Sequence, residues 1–443
     1  MLLSFNQGNI IIGSEDPDII TITIEVMINR RGLAIRKRGV ISSFLWREQK
    51  VPGQRVFHKY HFLSFVISIQ AYLYSTYINS TAAKLGFSFT QIGLVNLILS
   101  IAYAIASVTL GHIGTRYGYK RTISFLAVYL FIVSMFGFFA NNPKRLVIFA
   151  VLQGAFFGAF FPQVEGLIAK SESLLRVDPP SITGRFTLSW STGNMIGVAF
   201  GPFLTVRVPS AVFITGLIIS GLTSLWVFLD YKKFGDVITF TPYRKLLEHS
   251  RNSSVVMNKN MMKKLSLEYR IILFLGGLIY TSVLASFPKL MMLAGLKLEN
   301  AGFLTVGANI GVVLIFGILQ SWKGWVGNEY VCGILLSVVP ITGLIAFFAK
   351  NPLMFFLTAL FAGFSYAVPY TFAIFYGLLS EEEAHGKQGA LHEMVIGLLF
   401  GVGPLIGGVL FDNFGGNLGL LVYAFSISAA IYLIQLLFNF SRK

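Results

Sequence analysis

The sequence predicts an all-α membrane protein of twelve transmembrane helices in two pseudo-symmetric six-helix bundles. Three observations carry that prediction. Of the 443 residues, 55% are apolar and only 12% charged, with a mean hydropathy of +0.70; an ordinary soluble domain is about 25% charged. Reading between charged residues leaves twelve runs free of Asp, Glu, Lys and Arg, each long enough to cross about 30 Å of hydrocarbon as a helix. The last six runs repeat features of the first six. Composition excludes a soluble globular enzyme. The run lengths exclude a β-barrel, whose strands need only about 10 residues of alternating polarity.

The first six spans are read at 60–83, 85–115, 122–143, 146–164, 186–206 and 208–229. The second six lie at 271–288, 300–322, 330–349, 351–380, 394–411 and 413–441. These give an N-terminal bundle over 58–230 and a C-terminal bundle over 269–443. Between them, 231–268 is a basic linker rich in Lys, Arg, Asn and Ser. Residues 1–57 are expected to be a poorly ordered extension. They hold a short alternating stretch at 19–28, then Arg30, Arg31, Arg36, Lys37 and Arg38. That segment reads either as a solvated tail, with Met27 as an alternative start, or as an anchor to anionic lipid.

The formal net charge is +16. The cations sit between apolar runs, which points to membrane loops and not to a nucleic-acid surface. Lys84, Lys144, Arg145, Arg207, Lys289, Lys297 and Lys350 lie on one side of the predicted spans, and all the other Lys and Arg lie on the other. The excess places both termini in the cytoplasm of a multi-pass cell-membrane protein. The lone Cys332 excludes a disulfide framework. No span holds paired acids, a His pair at ligand spacing or a nucleophile beside a base, so neither an enzyme, a metal site nor a cofactor is expected.

One constant shift aligns Gly86 with Gly295, Gly93 with Gly302, Gly118 with Gly327, Asn142-Pro143 with Asn351-Pro352 and Gly154 with Gly363. After a short deletion it resumes, pairing Gly184 with Gly386 and Gly201-Pro202 with Gly403-Pro404. Two halves of the same orientation follow, the parallel-repeat plan of secondary transporters with a site between the halves.

Leu85-Gly86-Phe87-Ser88-Phe89-Thr90-Gln91-Ile92-Gly93 opens the second span. Gly111-His112-Ile113-Gly114-Thr115-Arg116-Tyr117-Gly118-Tyr119-Lys120-Arg121 closes it. Together they resemble the major facilitator superfamily, whose loop between helices 2 and 3 reads Gly-x-x-x-Asp-Arg-x-Gly-Arg-Lys. Gly111, Arg116, Gly118 and Lys120 match; Thr115 replaces the acid, Tyr119 replaces the arginine, and Arg121 adds a cation. The resemblance implies a latch at this loop that lacks one charge partner, with Glu165 or Glu172 as the candidate replacement. The alternative is a positive loop that only sets topology. The resemblance also implies alternating access, with helices 1, 4, 7 and 10 lining a central cavity. On those spans the candidates for substrate contact are Gln70, Tyr74, Tyr77, Gln153, Tyr280, Thr281, Tyr366 and Tyr370.

Acids within spans are costly and default to function. Glu165 and Glu393, the latter beside His392, are the candidates for proton coupling. The competing reading is a cytoplasmic gate in which Glu165 pairs with Arg185 or Arg116 and Glu393 with Lys387. Pro162 and Pro369 fall at nearly corresponding places in spans 4 and 10 and are read as helix breaks. Trp322 and Trp325 are read as anchors at lipid level. No Lys or Arg sits deep in a span, so a neutral, weakly charged or amphipathic solute is expected. The function that follows is a proton-driven transporter, for uptake or efflux, working as a monomer. An uncoupled facilitator and a non-transporting sensor or scaffold are the alternatives.

Overall fold

Inside lipid every backbone polar group must be satisfied within its own segment, so an apolar run that crosses becomes a helix. The structure, a computed structural model, describes residues 2–6, 9–13, 22–29, 32–35, 54–172, 179–235, 259–326, 328–380 and 385–440. Met1–Val51 is a separate unit. It carries four strands, β1 (Leu2–Asn6), β2 (Asn9–Gly13), β3 (Ile22–Asn29) and β4 (Gly32–Ile35), paired antiparallel in that order. β3 falls on the alternating stretch of the sequence. Most of the linker, 236–258, lies outside the described residues.

Pro52–Lys443 forms the second unit. Its first half holds α1 (Gln54–Lys84), α2 (Phe89–Leu110), α3 (Ile113–Tyr117), α4 (Tyr119–Gly137), α5 (Pro143–Glu172), α6 (Pro179–Arg207) and α7 (Pro209–Phe234). Its second half holds α8 (Lys259–Leu293), α9 (Ala301–Ser321), α10 (Glu329–Leu336), α11 (Val338–Phe347), α12 (Pro352–Ser380), α13 (His385–Phe414) and α14 (Gly416–Phe440). These make twelve spans: α3 continues the second, and α10 with α11 forms the ninth. Among the described residues, ten helices are long and apolar enough to cross a bilayer on composition alone. α1 and α6 are the two that fall short. They pack on each other and carry Ser, Thr, Gln and Asn that the protein buries.

The repeat is visible in the backbone. Gly86 and Gly295 occupy equivalent loops after the first and seventh spans, and both take φ of +78°, a conformation that costs glycine nothing and other residues much. Within the halves α1 packs on α6, α2 on α5 and α4 on α7, as α9 does on α12 and α11 on α14. Two seams join the halves, α2 against α13 and α6 against α9. Lipid supplies no hydrophobic drive between helices, so small residues that let backbones touch decide where seams form. A Cβ on Gly93 would lie 2.5 Å from the Pro404 carbonyl oxygen, and one on Gly302 would lie 2.3 Å from that of Ala199. The Gly-Pro segments of spans 11 and 5 are thus the surfaces against which these two repeat-related glycines pack.

α5 and α12 run unbroken through Pro162 and Pro369. The reading of these prolines as helix breaks is corrected: each removes one hydrogen bond within a continuous helix. Packing covers the gap. The carbonyl that Pro369 leaves free, that of Ser365, lies so close to α8 that a Cβ on Gly276 would be 2.3 Å from it.

Candidate functional site

The twelve spans leave a cavity between the halves, with about 780 Å³ of empty space when the part open to the outside is counted. α1 contributes Ser68, Ala71, Tyr72 and Ser75, one helical face spaced three and four residues apart. α2 adds Leu99 and Tyr103, α5 adds Gln153, Phe157, Phe161 and Glu165, and α6 adds Phe186, Trp190 and Asn194. The other half supplies Tyr366 and Tyr370 from α12, and Glu393, Ile396 and Phe400 from α13. No Lys or Arg is among the lining residues. The cavity is an aromatic box with two carboxyl groups.

Those acids come from opposite halves and meet. Glu165 and Glu393 lie within hydrogen-bonding reach of one another, and the Tyr103 hydroxyl donates to Glu393 Oε2. Glu393 is 5% exposed. His392 points elsewhere: its ring meets that of Tyr370 at 4.9 Å, outside the lining. Around the box, Trp190 packs on Tyr370 and Phe316. Tyr280 stacks on Tyr366 with ring centroids 4.6 Å apart.

Of the expected substrate contacts, Gln153, Tyr366 and Tyr370 line this cavity. Tyr280 stands just behind it, donating to Asn309 Oδ1 at 3.1 Å. Gln70, Tyr74 and Tyr77 do not reach it, and the expectation for them is corrected. They form the opposite face of α1, where Gln70 donates to the Val212 carbonyl, Tyr74 meets Ser134 and Tyr77 donates to the Ala140 carbonyl. Thr281 likewise serves packing, donating to the Leu399 carbonyl on α13. The missed residues Ser68, Tyr72 and Ser75 carried a signal, a polar stripe at helical spacing. Tyr103 and Trp190 lie on spans 2 and 5, which the family resemblance had not singled out.

The loop from Gly111 to Arg121 is tied within the first half. Gln163 Nε2 donates to the Leu110 and Gly111 carbonyls, and its Oε1 accepts from the Gly114 N–H at 2.9 Å. One buried amide thus closes the end of α2 and the start of α3. Thr115 bonds the His112 carbonyl, Arg116 lies over the Tyr117 ring and Arg121 donates to the Tyr231 hydroxyl. Lys120 pairs with Asp230 at 2.8 Å, both nearly fully buried, and the Tyr60 hydroxyl donates to the same carboxylate at 2.7 Å. The replacement carboxylate for this loop is therefore Asp230, not Glu165, which sits in the cavity. Glu172, and Lys387 as a partner for Glu393, lie outside the residues whose side chains are described. In the second half, Trp322 is half exposed, but Trp325 is buried. Trp325 donates to the Leu319 carbonyl and packs on Phe372, which corrects its reading as a lipid-level anchor.

The face carrying the start of α1 and the end of α14 is the terminal face; the opposite one is distal. At the distal ends of the seams the halves are tied together. Asp412 of α13 accepts from the N–H groups of Phe89 and Thr90 at 3.1 and 2.8 Å, and from the Thr90 hydroxyl at 2.7 Å. It caps α2 from across the seam, where first-turn N–H groups lack intrahelical partners. Lys289 of α8 donates to the Phe87 carbonyl and lies over the Phe89 ring. At the other seam Arg207 and Glu299 form a two-pronged ion pair. The cavity lies on the terminal side of these ties.

Two pseudo-symmetric bundles that meet over a central cavity, closed on one side by contacts between them, have the build of a transporter and not of an enzyme. The chain belongs to the Major Facilitator Superfamily, whose family model matches residues 60–328. It is 23% identical over 338 residues to multidrug resistance protein 1 of Bacillus subtilis, covering 74% of this chain and 82% of that protein. It is 26% identical over 150 residues to a multi-drug resistance efflux pump, a PmrA homolog of Lactococcus lactis, and 33% identical over 129 residues to the multidrug export protein EmrB of Haemophilus influenzae. These two matches span only 35% and 24% of the relatives' own lengths, and 32% and 29% of this chain. The fold is shared with the nucleoside transporter NupG, at a TM-score of 0.61, 13% identity and coverage of 88% of this chain and 99% of that one. It is shared too with a bacterial homolog of the human lysosomal transporter Spinster in an inward-facing, occupied conformation, at a TM-score of 0.59 and 12% identity, covering 86% and 97%. The chain is therefore a multi-pass membrane protein with the build of the transporters in this superfamily.

Proposed function

We infer that the chain is a proton-driven secondary transporter that expels a small amphipathic organic solute from the cell by alternating access. It would work as a monomer in the cell membrane, with both termini cytoplasmic as the Lys and Arg distribution favours. The observation that carries this reading is the meeting of Glu165 and Glu393 in an aromatic cavity, one acid from each half. A hydrogen bond between two carboxyl groups contains one proton. A rocking motion that parts the halves takes away the partner, so proton binding and the arrangement of the halves are linked. Aromatic walls suit an amphipathic solute, and the efflux direction follows the relatives, which are named for drug efflux and export.

Purified protein in liposomes with an imposed pH difference tests the reading. The wild type is expected to accumulate solute against its gradient. Glu393→Gln is expected to lose that accumulation while still exchanging labelled for unlabelled solute. Full accumulation by Glu393→Gln and by Glu165→Gln would remove the pair from the mechanism and leave a facilitator.

A further inference from the structure

The wall of the cavity formed by α1, α5 and α6 carries polar atoms that the acid pair does not use. Gln153 donates an amide N–H to the Ala71 carbonyl at 3.3 Å. That bond fixes the amide's orientation and leaves its Oε1 buried without a partner. Asn194 Oδ1 and the Ser68 hydroxyl are likewise buried and unpartnered. Gln153 and Asn194 are each 3% exposed and Ser68 0%. These groups are neighbours in space as well as in the lining. A Cβ on Gly193, next to Asn194, would fall 2.9 Å from the Ser68 Cβ. Ala71, which holds Gln153, follows Ser68 by one turn of α1.

Buried carbonyl oxygens without donors are uncommon and costly. Two hydroxyls of the lining are already engaged. The Tyr103 hydroxyl serves Glu393, the Tyr72 hydroxyl faces that of Tyr280 at 3.5 Å, and the Trp190 ring packs on that of Tyr370. Gln153 Oε1 and Asn194 Oδ1 remain as carbonyl acceptors for a solute, with aromatic rings beside them and no Lys or Arg in the lining.

We propose that Gln153 Oε1 and Asn194 Oδ1 form a recognition subsite for N–H groups, and that the transported solute is an alkylamine bearing aromatic rings, whose nitrogen donates to them while its rings pack against Tyr72, Trp190 and Phe400. This rests on the cavity being the solute site and goes further in one respect: the site reads hydrogen-bond donors, not positive charge alone. A quaternary ammonium of the same shape keeps its charge, offers no N–H and leaves both oxygens unpaired.

The test is calorimetric titration of the purified full-length protein with two probes, a tricyclic secondary alkylamine and its quaternary N-methylated counterpart. The amine is expected to bind about tenfold tighter. Gln153→Met keeps the chain length and removes the acceptor; amine affinity should fall to that of the quaternary probe, whose own binding stays unchanged and reports an intact cavity. Asn194→Leu should narrow the preference in the same way, and serves if Gln153→Met does not fold. Equal affinities for the two probes in the wild type, no binding of either, or a preference that survives both substitutions would overturn the subsite. Equal affinities together with intact proton-driven accumulation would leave the transport reading standing. A tenfold preference without any flux would do the reverse.

Discussion

The two seams between the halves stand at equivalent places in the repeat, yet they are finished differently. Both bring a glycine of one half, Gly93 or Gly302, against the backbone of a Gly-Pro segment in the other. At the distal end of the α2–α13 seam, Asp412 caps α2 through three hydrogen bonds. In the repeat register Ser210 stands where Asp412 does, and Glu299 stands where Thr90 does. The acid has changed sides, and at the α6–α9 seam it pairs with Arg207 instead. Toward the terminal face the divergence continues: Tyr103, Glu393 and the neighbouring Glu165 gather at the first seam, while Trp190 and Phe316 fill the second. Backbone contact is what the repeat preserves. The buried acid pair stands at one seam only.

The largest effect in this comparison is expected from the loops that follow the second and eighth spans. The first is closed by Gln163 and the buried Lys120–Asp230 pair, the second by burial of Trp325 against Phe372. Lys120→Met leaves Asp230 buried without its cation and should cost about 3–5 kcal/mol. Replacing both partners, Lys120→Met with Asp230→Leu, should restore much of the loss. Thermal unfolding in detergent reads both, and a double variant no better than the single one would break the assignment.

Smaller, and matched between the seams, are the expected effects of Gly93→Ala and Gly302→Ala. Each puts a methyl into backbone, at about 1–3 kcal/mol. The same melts check this pair, and a large inequality between them would show that the seams are not equivalent in packing. The smallest effects distinguish the distal ties. Asp412→Asn weakens a helix cap, at about 1 kcal/mol, and should open the distal face to a thiol reagent at a cysteine placed on the distal side of the cavity. Arg207→Gln breaks an exposed ion pair, worth about 0–1 kcal/mol, and should leave that labelling close to wild type.

Span number, two-bundle plan and family were legible because the cost of charge in hydrocarbon is large and the repeat glycines are strictly spaced. The face of α1 that lines the cavity was not. Gln70, Tyr74 and Tyr77 share helical spacing just as Ser68, Tyr72 and Ser75 do, and only their partners on other spans, such as the Val212 and Ala140 carbonyls, separate the two sets. Nor did sequence pair Glu165 with Glu393. Their positions in the other half hold Ile374 and Ser191, so the repeat gave no hint that they converge. Asp230 escaped notice for a related reason: it lies far along the chain from Lys120, and helix packing alone brings them together.

The bare main-chain contact at Gly93 and Gly302 separates two evolutionary problems. A contact made of peptide atoms keeps its shape whatever side chains line the chamber beside it. Residues such as Phe157, Phe161 and Phe400 can therefore change without disturbing the contact that holds the halves together.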